Sequence, residues 1–119
     1  MQLGLQIPDF TWPDGPSRLG VELAQVARTA EDVGFGYIGV MDHFFQIGMI
    51  GPPEHEMLEA YTTLGFLAAH TSRAKLLTLV TGVVYRHRKR TQHLRDLTGI
   101  IAMSGNEQDP GSHNARSKY

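Results

Sequence analysis

The 119-residue chain has no cysteine. No disulfide can brace it and no thiolate can hold zinc. It has no apolar run near the ~20 residues that a membrane span needs. Its opening, Met1-Gln2-Leu3-Gly4-Leu5, lacks the basic n-region and long apolar h-region of a signal peptide. An excess of one charge is missing too. Eleven Lys and Arg stand against 12 Asp and Glu, for a net charge of -1. That excludes both the basic footprint of a nucleic-acid binder and a chain dominated by acidic, solvating sequence. There is no G-x-G-x-x-G after the first predicted strand and no G-x-x-x-x-G-K-[ST], so neither a dinucleotide fingerprint nor a P-loop is indicated. A serine nucleophile elbow and a catalytic cysteine are missing as well. A soluble, cytoplasmic protein is expected, with no metal, nucleic acid or membrane among its partners.

What is there is a repeat of strand and helix. Leu3, Leu5 and Ile7 alternate with Gln2, Gly4 and Gln6, the period of a strand that Pro8 ends. Asp9 to Pro16 is a turn-rich loop carrying Phe10 and Trp12, which either plug the end of the core or line a pocket mouth. From Leu19 to Val33 the apolar residues fall at helical spacing. Ser17 is the expected N-cap and Gly34 the C′ glycine. Tyr37–Met41 reads as a second strand, which makes a βαβ unit with parallel strands. A second helix is expected from Met57 through Tyr61 and Leu64 to Ala68, with His70 near its C-terminus. Leu76–Val80 reads as a third strand running on through Thr81 and Gly82. Such spacing is that of a (β/α) barrel or of an open doubly wound sheet. Beyond the basic run Arg86-His87-Arg88-Lys89-Arg90, which either binds phosphate or is merely solvated, Leu94, Leu97 and Ile101 form a weak helical stripe. From Gly105 to Tyr119 almost nothing is apolar, and a disordered polar tail is expected there. The domain is therefore placed at residues 1–104 and the tail at 105–119.

The sharpest chemistry lies at the end of the second strand. Asp42 and His43 put a carboxylate and an imidazole where parallel α/β folds bind ligands, and an imidazole moves protons near neutral pH. Adjacent strand residues point to opposite faces, so the two are not expected to form a simple dyad. Glu54-His55-Glu56 lacks the i,i+3 or i,i+4 spacing of metal ligands on a helix. Its acidic residues suit the start of the next helix instead. Gly82 would let backbone approach a flat ligand closely.

Several runs resemble luciferase-like oxidoreductases, above all the group that uses the deazaflavin coenzyme F420. They are Gly4–Pro13, Val40–Ile47, Met57–Thr71 and Thr78–Val83, and the likeness as a whole spans roughly residues 1 to 87. The resemblance implies a TIM barrel and hydride transfer between F420 and a small organic substrate, with an FMN monooxygenase as the alternative. It implies that His43 is the catalytic acid or base and that Asp42 helps to hold the cofactor. Leu79, Val80, Thr81 and Gly82 would lie against the ring, with a non-proline cis peptide at Leu79-Val80. Phe10 and Trp12 would lie near the substrate mouth. The chain departs from the family at Leu77, where relatives commonly have Gly, and at Arg88, where they commonly have Pro. A barrel closes with eight strands, whereas three βα units are legible here. The expectation is a truncated copy or one piece of a split chain. A different class of reading is an inactive fragment. In either case open sheet edges would favour a homo-oligomer or pairing with another chain.

Overall fold

The computed structural model describes residues 1–82, 84 and 86, and residues 101–104 as backbone. The elements run β1 (Gly4–Ile7), α1 (Leu19–Asp32), β2 (Tyr37–Val40), α2 (Ala60–Ala68), β3 (Lys75–Thr81) and β4 (Ile101–Ser104). The strands form one parallel sheet in the order β1-β2-β3-β4. The order does not reverse among these strands. Right-handed crossovers then place α1 and α2 on the same face of the sheet.

The core agrees with that placement. Ile7, Ile38, Val40 and Leu76 from the sheet meet Leu23, Ala27 and Ala30 of α1 and Ala60, Tyr61, Leu64 and Leu67 of α2. Phe10 closes one end of this cluster at 2% exposure. The opposite face of the sheet follows the alternate residues. On it Gln6, Gly39 and Leu77 lie side by side in register. A Cβ on Gly39 would stand 2.6 Å from Gln6 Oε1 and 3.2 Å from Leu77 Cδ1. Glycine there lets both neighbours fold across the strand.

Helix α1 ends as its sequence predicts. Gly34 takes φ +98°, its N–H donates to Glu31 O, and Phe35 N–H donates to Ala30 O, the paired bonds of a Schellman end. Its start differs from the expectation. Arg18, not Ser17, is the N-cap, and it makes no side-chain capping bond. Arg18 N–H donates to Gly15 O and Leu19 N–H to Pro16 O, so the chain is already turning through Ser17. Helix α2 begins at Ala60 rather than at Met57. Its N-cap is Glu59, whose carboxylate accepts from Thr62 N–H at 2.7 Å. A side chain that satisfies an orphan N–H fixes the start more firmly than apolar spacing does.

Two further corrections concern the last part of the sheet. Ile101 lies not on a helical stripe but in β4, with Leu77 opposite Ile101 and Thr78 opposite Ala102. The unpaired edge of β3 supplies a row of backbone donors and acceptors, and that demand outweighs a weak three-residue helical pattern. Among the described residues four strands, not three, are thus present. Leu94, Leu97, the run His87–Arg90 and the 105–119 tail lie outside the described residues. No described helix is long and apolar enough to cross a membrane.

A buried carboxylate sets the start of β3. Glu31 accepts from the backbone N–H of Ser72 (2.9 Å), Arg73 (2.5 Å) and Ala74 (2.7 Å). The Ala74 and Arg73 bonds, in that order, hold its carboxyl below the usual range. Lys75 N–H then donates to Gly36 O, and Gly36 N–H to Leu3 O, so the three strands begin level. Leu64, fully buried between the helices and the sheet, tests this packing. Leu64→Ala should destabilise the fold by about 2–5 kcal/mol, seen as a lower urea midpoint at unchanged slope.

Candidate functional site

The C-terminal edge of the sheet gathers the chemistry. Val40 lies opposite Thr78, so the two residues after Val40 run beside the two after Thr78. Asp42 is buried at 4% exposure, while His43 is exposed. The two neighbours, just past the end of β2, thus differ sharply in exposure.

Asp42 is engaged within the chain. Its Oδ2 accepts from Gly82 N–H at 2.8 Å and from Arg86 Nε at 2.5 Å, and its Oδ1 accepts from Arg86 Nη2. The bidentate fork is the geometry in which arginine pairs most strongly with a carboxylate. Arg86 Nη2 also donates to Glu59 Oε1. The guanidinium lies 4.4 Å from the centroid of the Tyr61 ring, a cation–π contact. Asp42 first, then Glu59, raise the Arg86 pKa above its ordinary value against the cost of burial. Burial likewise works against the Glu59 carboxylate. The hydroxyl and N–H of Thr62, together with Arg86, outweigh it and bring the pKa to about 2.

Beneath this cluster Tyr61 OH stands 3.1 Å from Thr81 Oγ1, which is 2.5 Å from Thr78 Oγ1. Thr81 is therefore drawn to the helix side of the sheet and is buried. Leu79 and Val80 are not, at 43% and 41% exposure. The peptide joining them is cis, as the resemblance implies. Gly82 is half-buried beside Asp42. The structure thus brings Asp42, His43, Leu79, Val80, Thr81 and Gly82 to one rim.

The two aromatic residues do not join them. Phe10 is inside the core. Trp12 packs against the core from the loop, 6.2 Å from Phe10 between ring centroids, and lines a groove along α1 with Leu5, Val26 and Phe35. The loops of the rim are tied by polar contacts instead. His55 Nδ1 is 3.1 Å from Asp9 Oδ2, Glu56 N–H donates to Thr11 Oγ1, and Gln46 Nε2 donates to Pro8 O at 2.9 Å. Among the described residues no three His, Asp or Glu side chains come together in a way that could hold a metal ion.

Sequence reasoning missed the roles of Arg86, Glu59 and Tyr61. Arg86 reads as one member of a basic run, and Glu59 only as one residue of the run Met57–Thr71. Arg86 meets Asp42 and Glu59 across 44 and 27 residues of sequence, and no local pattern announces such a meeting. Removing the guanidinium leaves a buried carboxylate short of its charge partner. Arg86→Met should therefore cost about 3 kcal/mol in urea denaturation, and Asp42→Asn combined with Arg86→Met should cost less than the two singles summed. The Glu59 carboxyl titrates lower in the fold than when free, so its contribution is complete above its free value of 4.5 and vanishes as pH falls towards 2. With its side chain 47% exposed, that contribution is ~1 kcal/mol or less. Glu59→Gln should flatten an acid-unfolding profile between pH 5 and 2 by about that much.

Residues 1–89 fit the model of a family described as luciferase-like monooxygenase. No curated protein matches the chain.

Proposed function

The chain belongs to the luciferase-like monooxygenase family, and on that premise we propose that it is a deazaflavin-linked oxidoreductase whose working surface is the rim of His43, Leu79 and Val80. Its strands are the first four of a (β/α)-barrel sheet in this reading. The single observation that carries it is the placement of an exposed imidazole at the end of β2 beside an open apolar step at the end of β3.

That step suits a flat ring system. Leu79 and Val80 present exposed apolar surface, while Thr81 is held back by Tyr61 and Thr78. The ring end is the part of the cofactor these residues fit, because Arg86 is committed to Asp42 and Glu59. When bound, coenzyme F420 supplies hydride transfer to or from an organic substrate. Leu79, Val80 and Gly82 would hold the ring. The role of Asp42 is indirect, since it fastens Gly82 in place and keeps the rim in one conformation. His43 would give or take the substrate proton at a ring nitrogen, the general acid–base task that an imidazole can perform. The resemblance of Gly4–Pro13 and Val40–Ile47 to the deazaflavin group supports F420 over FMN.

Titration of the purified chain with F420 and with FMN, followed by absorbance and fluorescence, tests the reading. F420 should give a saturable change, and His43→Asn should keep that change while lowering turnover by about 10²–10⁴-fold. Saturation by FMN alone would replace the deazaflavin by a flavin. Failure of both at high micromolar concentration would sink the proposal for this chain.

A further inference from the structure

A proton passes directly between two groups only across about 2.6–3.2 Å, so an acid or base must be placed closely. His43 is exposed, which leaves its placement to the backbone on either side of it.

That backbone is pinned twice. Before His43 stands Asp42, 4% exposed, which accepts from Gly82 N–H just past the end of β3. Three residues after His43 stands Gln46, 5% exposed, whose Nε2 donates to Pro8 O at 2.9 Å just past the end of β1. Because β2 lies between β1 and β3, the two anchors reach toward opposite neighbours. His43, Phe44 and Phe45, all exposed, therefore cross the end of β2 as an arch held by its two feet.

We infer that Gln46 is a positioning residue for the proton transfer assigned to His43, its buried amide fixing the foot of the arch on the β1 side through Pro8 O. The inference rests on the reading of His43 in the proposed function. A buried amide is costly unless it is bonded, and both ends of this one are. Its Oε1 accepts from Ile47 N–H at 2.9 Å while Nε2 serves Pro8 O, so only one orientation of the amide satisfies both. The acceptor is braced as well. The proline ring locks φ at Pro8. Asp9, next in the chain, accepts from Thr11 N–H at 3.0 Å through Oδ1 and lies 3.1 Å from His55 Nδ1 through Oδ2.

The histidine ring signals in the NMR spectrum of the full chain read the outcome, with that of His43 identified by its loss in His43→Asn. Gln46→Met keeps the volume of the side chain and removes both hydrogen bonds. Gln46→Glu keeps the shape but turns a carboxylate oxygen on Pro8 O. In each the His43 signal should move toward that of an unstructured histidine, and in Gln46→Met the Ile47 amide should exchange about two- to tenfold faster. Val26→Ala trims packing on α1. It should lower the urea midpoint and leave the His43 signal in place, which separates positioning from stability. In the unaltered chain the side-chain amide protons of Gln46 should exchange more slowly than those of the exposed Gln25, a reading that needs no substitution. A His43 signal that stays put in both Gln46 variants, one that moves as far in Val26→Ala, or a Gln46 amide that exchanges as freely as that of Gln25 overturns the inference, and does so alone if F420 still binds. If neither F420 nor FMN binds the unaltered chain, the proposed function falls, while the His43 signal still decides whether Gln46 places the ring.

Discussion

A carboxylate taken out of water must be neutralised or hydrogen-bonded, and at the end of β2 that requirement governs the chain for the next forty residues. Asp42 is answered by Gly82 N–H and by the fork of Arg86. Both partners come from the segment after β3. Because they must reach the end of β2, β3 cannot slip in register, and the backbone from Leu79 to Gly82 stays against the rim. Glu59 and the Tyr61 ring take up the remaining face of the guanidinium, which ties α2 to the same point. One charge thus joins β2, β3 and α2 at the edge where the exposed His43 stands.

The opposite end of the sheet uses the same physics with a different donor set. Glu31, near the C-terminus of α1, collects the N–H groups of Ser72, Arg73 and Ala74. These are amides that a tight helix-to-strand connection would otherwise leave unpaired. One carboxylate thus fastens each end of the sheet, Asp42 at the end of β2 and Glu31 at the start of β3, and apolar packing of Leu23, Leu64, Leu67 and Leu76 fills the layer between. Division of labour follows. Apolar burial gives the sheet and helices their common face, and the two carboxylates decide where the connections run.

His43 is freed by this arrangement. Its neighbour Asp42 carries the structural load, so the imidazole is not needed for packing and stays exposed. The open step at Leu79 and Val80 depends likewise on Thr81 being held from below. The rim is rigid where it is bonded and open where a ligand would sit, the division a preorganised site requires.

Much of this was legible in the residues themselves. Alternation in Leu3–Ile7, the apolar stripe from Leu19 to Val33, Gly34 after it, and the abrupt end of an apolar run at Asp42-His43 each follow from local periodicity and backbone preference. Those signals located β1, α1, β2 and β3 and the rim. The start of α2 at Ala60 was not readable from spacing, because it turns on which carboxylate reaches Thr62 N–H. β4 was not readable either, since a four-residue strand at a sheet edge is chosen by the neighbour's unpaired backbone rather than by its own pattern. The commitment of Arg86 to Asp42 lay further still from view. Sequence alone determined the alternating elements and the placing of an acid and an imidazole at one strand end. Tertiary structure alone decided that the acid would be consumed by Gly82 and Arg86 and the imidazole left open, because pairing across 40 and 44 residues is fixed by the packed sheet and not by neighbours in the chain.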